Sequence, residues 1–456
     1  EVGLSSTAAL NRLQQATDPV YSVFPTLEDG CNRGGGNNGA NNGFDGGGDN
    51  NGGVRVVDAG NTGPYNWEVI EVDAELEDPA QAATDWLDRE GYDVTAIGPD
   101  LLRPYLAAGL NIIAFRLDKY ATVGSIRPVI LTYRTDHPII PIKLTAVAAQ
   151  ENMGVLTWVG GPSRAVPTNY RHLILNDALI NWLDPSSNYG DVVNAAADEA
   201  GGQGWVTEHS MPSATLRETI WYSVEEARWE DVQMTRDEAE LLYSLIFRFR
   251  GLDGVEDVIS RAVTTPNNLT PAQFRASSET VVRQGSIPDR DLFLAVMEEF
   301  VVQPMRDSEA LLGAAQHLTR FYTTMSAPEM TMDPEFEFNN GLPTVRNDHY
   351  ATQYFPCSGD PNGPWTMELP SGVVVHGRGS AWPVQIGDMP ANRTIEQLAT
   401  EGKPLVITDN SEAIDGAAER AAPKTKSDGC ATPGTEPSAP IVLLLLLGTV
   451  FALRRR

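Results

Sequence analysis

The chain has 456 residues and a formal net charge of −28, from 33 Lys plus Arg against 61 Asp plus Glu; that field repels a phosphate backbone and excludes nucleic acid as a partner. At 41% hydrophobic and 21% charged residues most of it reads as globular, with length for two or three domains of roughly 100 to 200 residues each. Three cysteines, Cys31, Cys357 and Cys430, exclude a disulfide framework and lack the close pairing of a zinc site.

The opening "EVGLSSTAAL" has neither an initiator Met nor the charged and apolar regions of a signal peptide, so the chain reads as a fragment or a processed form. "SSTAALNRLQQAT" places Ala9, Leu10 and Leu13 at helical spacing behind the candidate caps Ser5 and Ser6. Residues 31–53 are so rich in Asn and Gly that they predict a flexible loop, and the GxGxxG formed by Gly34, Gly36 and Gly39 lacks the flanking strand and helix that would give it meaning. "YNWEVIEVDA" alternates as a strand, and "DPAQAATDWLDREGY" reads as a helix opened by Asp78 and Pro79 and closed by Gly91. A short helix, "GPDLLRPYLAAG", leads to four predicted strands: "NIIAFRLDKY", "IRPVILTYRT", "IKLTAVAA" and "MGVLTWVGG". "NDALINWL" and "YGDVVNAAADEAGG" predict helices, and residues 223–324 read as packed helices, with Thr235 and Glu238 spaced as a capping box and Pro304 marking a break or kink. "DPEFEFNNGLP" and "PSGVVVHGRG" suggest short strands, and the polar residues that follow suggest a stalk.

The class is therefore α+β, with a mixed or antiparallel sheet. Its expected order is a helical segment at 1–30, a loop at 31–60, an α+β domain at 61–215, a helical region at 216–327, short strands at 328–393, a stalk at 394–429 and a terminal segment at 430–456.

No motif compels a mechanism or a cofactor: HExxH, GxSxG, a P-loop and CxxC are all absent, and no two of the six histidines lie at the i, i+4 spacing of a helical metal site. His137, in the turn-like "TDHPIIP", and His317, in a predicted helix, read as structural. In "RNDHYATQYFPC", His349 and Cys357 offer a base and a thiolate nucleophile, with Asp348 beside them. In an oxidising compartment a disulfide between Cys31 and Cys357 is the simpler reading, with a partner for Cys31 ahead of the chain as the alternative. Asp333, Glu335 and Glu337 alternate as on one strand face, a candidate calcium site or the wet side of an edge strand. Trp86, Trp158, Trp182 and Trp205 sit in periodic segments and read as core.

"EVGLSS", "DWLDREGYDV" at 85–94, "GVLTWVGGPSRAVPTNY" at 154–170 and "LTRFYTTMSAPEMTMDPEFEF" at 318–338 together resemble the bacterial family catalogued as domain of unknown function 2330. That resemblance implies export to the envelope, with a signal peptide and β-rich sequence ahead of this start, and it supplies no reaction. The end of the chain, "GCATPGTEPSAPIVLLLLLGTVFALRRR", is similar to the sorting signals of myxobacteria known as MYXO-CTERM: Gly429-Cys430, a spacer, an apolar run at 441–453, and Arg454, Arg455 and Arg456. This resemblance implies a membrane-embedded sorting protease as partner, cleavage near Cys430, lipid on that cysteine and display on the cell surface. The apolar run has 13 residues, short of the roughly 20 that span a bilayer, which suits a transient stop with the arginines on the cytoplasmic side.

Three functions stay in view: a surface-displayed, non-catalytic protein with a structural or interaction role; an exported hydrolase using Cys357 and His349; and an acidic calcium-dependent binding module.

Overall fold

Ser6 opens the first helix, Thr7–Thr17, its hydroxyl accepting from the Ala8 N–H at 3.1 Å, and the helix buries Ala8, Ala9 and Leu13. The computed structural model describes residues 1–27, 55–62, 65–73, 75–92, 94, 98–117, 126–356, 360 and 362–423. Residues 1–421 make one compact unit; a second unit, 422–456, lies outside the described residues except for 422 and 423.

The first unit is α+β and is organised by a six-stranded mixed sheet, in the order Leu405–Asp409, Asn392–Gln397, Arg171–Leu175, Gly204–Pro212, His317–Met325, Met153–Gly161. All its pairings are antiparallel except that of Arg171–Leu175 with Gly204–Pro212. The first helix and the helices between residues 223 and 314 pack on one face, and helix Tyr189–Glu199 joins them there; this is the helical face. On the other lies a two-stranded ribbon of Arg164–Pro167 and Phe336–Asn339, the ribbon face, whose core includes the fully buried Trp205, Phe321 and Phe336. A four-stranded sheet, Val374–Arg378, Pro364–Glu368, Asp348–Phe355, Val20–Leu27, shares the core under helix Tyr189–Glu199. A three-stranded sheet of Arg55–Thr62, Tyr65–Glu71 and Ile112–Leu117 carries helices Pro79–Arg89 and Pro99–Ala107 over a small core of its own. As expected, Asp78 caps the first of these helices and Gly91 follows it at φ 86°.

Several elements depart from the sequence reading. "HLTRFYTTM" does not continue the helices: helix Gln303–Ala314 stops, and His317–Met325 becomes an inner strand buried on both faces. An inner strand has no polar alternation, so its periodicity cannot be told from that of a buried helix. "IKLTAVAA" holds a single helical turn, Ile142–Thr145, and "NDALINWL" is a run of turns in which Asn176 and Asn181 side chains satisfy backbone N–H groups. Asp237 caps helix Glu238–Tyr243, while Thr235 ends the preceding helix. Near Pro304 the helix runs on through a π-helical turn at Glu298–Val302 into Gln303–Ala314, so the chain there is irregular without being broken. The region expected as a stalk from 394 supplies two sheet strands and helix Ser411–Ala421, and the loop expected to reach 60 ends in strand Arg55–Thr62. The expected boundaries near 215, 327 and 393 separate nothing, since the sheet takes strands from both sides of each.

Gly254 starts helix Val255–Ala262 at φ 81°, a left-handed conformation natural to glycine. Beside it Arg127, with its side chain 1% exposed, donates to the Phe300 carbonyl at 2.7 Å and pairs with Asp257 at 2.7 Å. A Cβ at 254 would overlap the Phe300 carbonyl oxygen and sit 2.6 Å from the Arg127 guanidinium.

Candidate functional site

Strand Gly204–Pro212, "GWVTEHSMP", is buried from Gly204 through Ser210 despite carrying Thr207, Glu208, His209 and Ser210. Its register against the central strand slips between Thr207, opposite Phe321, and His209, opposite Arg320. A bulge adds a residue to one strand and shifts the alternation of side chains. Thr207 and Ser210 therefore face the ribbon, while Glu208 and His209 join Arg320 on the helical face.

On the ribbon face, His172 lies between a carboxylate and a hydroxyl: Nδ1 is 3.0 Å from Glu396 Oε2, and Nε2 is 3.0 Å from Thr207 Oγ1. Arg164 Nη2, which can only donate, approaches Nε2 at 3.5 Å. The consistent assignment is a neutral imidazole that donates from Nδ1 to Glu396 and accepts at Nε2 from Thr207. Burial holds His172 below its ordinary value, and the hydrogen bond from His172 holds Glu396 below the usual carboxylate range. Carboxylate, imidazole and hydroxyl in this order form the relay that activates a nucleophile elsewhere. Here Thr207 is 9% and His172 3% exposed, so the relay ties three neighbouring strands together rather than facing a substrate. Next to it, Ser210 Oγ lies 2.9 Å from both His317 Nε2 and Thr319 Oγ1, and Thr319 accepts from the Ala165 N–H at 2.9 Å. Ser210 is fully buried, so its histidine neighbour has no exposed hydroxyl to activate.

On the helical face, Arg320 Nε lies 2.6 Å from Glu208 Oε2, and Tyr189 donates to Glu208 Oε1 at 2.6 Å. Arg320 also reaches Asp18 at 2.5 Å, the Gln14 carbonyl at 3.0 Å and Thr17 Oγ1 at 3.1 Å, with the Trp158 ring 5.8 Å below its guanidinium. His209 Nδ1 meets Asn347 Oδ1 at 3.3 Å, and Asn347 donates to the Asp18 carbonyl at 2.8 Å. The network fastens the end of the first helix to the sheet. Burial raises Glu208 above the usual carboxylate range and pushes the Tyr189 hydroxyl up.

His172, His209 and His349 are all depressed by burial from an ordinary value of 6.5. The unfolded chain then binds more protons than the folded one below about pH 6.5, so stability is full above that pH and declines as pH falls through it toward the folded values. Thermal melts from pH 7.5 to 5.0 are expected to show Tm dropping below about pH 6.5, with His172→Gln flattening part of the slope; a Tm that rises over this interval would contradict the neutral assignment.

The residues named from sequence are dispersed. His349 stacks on Tyr21, with ring centroids 4.7 Å apart, while Asp348 is held by Arg346 and Tyr350 on the opposite side of the strand, so no Asp348–His349 pair forms. Cys31, Cys357, Gly429, Cys430, Arg454, Arg455 and Arg456 lie outside the described residues. Asp333 is buried against Lys143, 3.3 Å from its Nζ, and accepts from the Tyr105 hydroxyl and the Lys143 N–H, each at 3.0 Å. Glu335 lies 3.8 Å from His137, and of the three carboxylates only Glu337 lies within a strand, Phe336–Asn339. Among the described residues no three His, Cys, Asp or Glu side chains gather to hold a metal. His376 sits 3.2 Å from Thr366.

A cleft of about 680 Å³ opens on the helical face between the first helix, helix Gln303–Ala314 and the outer end of the sheet. Leu13, Trp158, Ile220, Leu312 and Leu318 form its wall, with Leu10 and Leu311, 40% and 62% exposed, also lining it. Its lining contains no titratable side chain; Ser5 and Ser308 are hydrogen-bonded to each other at 2.7 Å. Gly160 keeps the floor flat, since a Cβ there would stand 2.9 Å from Ala315 Cβ. No helix among the described residues is long and apolar enough to cross a membrane.

A family model described as an uncharacterized protein conserved in bacteria (DUF2330) matches residues 1–234, from the first strand through the bulged strand and the helix that follows it. No curated protein and no solved structure matches the chain.

Proposed function

The chain belongs to the family of uncharacterized proteins conserved in bacteria (DUF2330), and we propose that it is a non-catalytic binding protein, exported and displayed on the outer envelope after processing at its C-terminal end. One observation carries the non-catalytic part. The relay and ion pairs that could perform acid–base chemistry are sealed within the sheet, whereas the cleft open to a ligand offers apolar surface and no titratable group. Catalysis needs a proton-transfer group or nucleophile within reach of the substrate, and a cleft lined this way supplies burial alone.

The display part rests on the terminal segment: Gly429-Cys430, a Pro-containing spacer, a largely apolar run of 13 residues and three arginines. Such a run is too short to be a lasting span and suits a stop that is read and cut. A single lipid on Cys430 would hold the product only reversibly, so lasting attachment takes two chains or more.

Mass spectrometry of protein recovered from the cell envelope of its native host tests this reading: the expected C-terminal peptide ends near Cys430, and peptides carrying Arg454 to Arg456 are missing. Intact terminal peptides in surface-purified protein would refute the processing. Turnover that survives loss of the cleft leucines but is abolished by labelling of Cys357 would refute the non-catalytic reading.

A further inference from the structure

Among the described residues, strand Leu405–Asp409 ends the six-stranded sheet and pairs on one side only, with Asn392–Gln397. All five of its residues are exposed, so its two faces are open as well as its outer edge. Three in succession are large and apolar: Leu405, Val406 and Ile407 are 63%, 48% and 48% exposed. A free edge is a template for another strand, and proteins that keep one unpaired place charges or proline along it. Here the charges stand at the two ends, Lys403 just before the strand and Asp409 at its close, and Pro404 also precedes the strand. Lys403 forms no ion pair among the described residues, and Asp409 accepts the Ser411 N–H at 2.9 Å through one of its two oxygens. The extra residue in the pairing with Asn392–Gln397 is Ile407, which that pairing leaves without an opposite number and so open to a partner on the outer edge.

We propose that this edge pairs with the same edge of a second copy, antiparallel and centred on Val406, so that the sheet continues across a two-fold axis. When a strand pairs with itself in this sense, the choice of centre fixes every partner. Centring on Val406 sets Val406 against its own copy, Leu405 against Ile407, and Lys403 against Asp409 at both ends. Moving the centre to Leu405 sets Lys403 against Ile407, and moving it to Ile407 sets Leu405 against Asp409. The Val406 register alone matches apolar residues with apolar residues and opposite charges with each other, the pairings that stabilise adjacent strands. This complementarity is internal to the stretch, which favours a second copy over an unrelated strand. The arrangement closes on itself and yields a dimer through this edge.

The test uses the full chain in mild detergent, as an equal mixture of unlabelled and ¹⁵N-labelled protein, treated with a zero-length carbodiimide cross-linker. Within one copy Lys403 and Asp409 are six positions apart along extended chain, about 20 Å, so a direct bond between them must join two copies. The expected result is a mixed-label Lys403–Asp409 peptide, together with a dimer in sedimentation whose dissociation constant rises roughly tenfold in Lys403→Glu, which sets like charges opposite each other. Lys403 is exposed, so this variant leaves the fold intact. A monomer at high micromolar concentration overturns the proposal. So does a dimer without this link, one joined instead through the 430–456 segment, or one indifferent to Lys403→Glu.

Discussion

Replacing Arg320 by Met is expected to lower the unfolding free energy by about 3 to 5 kcal/mol, the cost of removing one member of a buried ion pair. The size follows from what is left behind. Glu208, with its side chain 1% exposed, would keep only the Tyr189 hydroxyl, and Asp18 would lose its tie to the sheet. Glu208→Gln alone is expected to cost less, because the amide still accepts from Tyr189 while shedding the buried charge. In the double variant Glu208→Met/Arg320→Met the losses should not add, since a buried pair exchanged for apolar side chains of similar volume is often close to neutral. Urea unfolding of the parent, Arg320→Met, Glu208→Met and the double variant measures this as a cycle. Additive losses would show that the two side chains act independently and would remove the pair as the clamp of the first helix.

Gly254→Ala is expected to be comparably damaging, by about 3 kcal/mol or more. A left-handed backbone costs a non-glycine residue roughly 1 to 2 kcal/mol, and forcing a methyl into a filled site adds about 1 to 3 kcal/mol. The neighbours cannot yield, because one is the Phe300 backbone and the other is Arg127, held by Phe300 and Asp257. Gly251→Ala is the control, as a Cβ at 251 meets nothing within 4 Å; it should stay within about 0.5 kcal/mol of the parent. Equal losses at the two positions would mean that intrinsic helix or loop preference, and not the Arg127 contact, sets the cost.

Local signals were legible where they were self-sufficient. The Ser6 and Asp78 caps, Gly91 and the strand "MGVLTWVGG" need nothing beyond their own neighbours, and each stands where its pattern placed it. Elements defined by their surroundings were not legible. "HLTRFYTTM" is a strand because sheet flanks it on both edges and packed layers cover both faces, and residues 392–409 are strands because Arg171–Leu175 offers them an edge. For the same reason the buried polar residues escaped notice. His172 and Glu396 lie 224 positions apart, and nothing in either stretch announces the other. One signal was available: "TEHS" sets four polar residues in a row inside a run that otherwise reads as buried strand, and such residues are interior only when partners wait for them. His349 and Asp333 likewise meet partners that their own stretches do not announce: Tyr21 stacks on His349, and Lys143 and Tyr105 hold Asp333.

The insertion of Asn392–Gln397 beside Arg171–Leu175 also has a temporal side. Four of the six strands of the sheet are supplied before residue 330, yet the Glu396 that satisfies His172 follows it by 224 positions. Contacts of such long separation are slow to form, because the loop they close must lose its freedom before they return any stabilisation. The sheet is therefore incomplete until residues 392–397 are available to it.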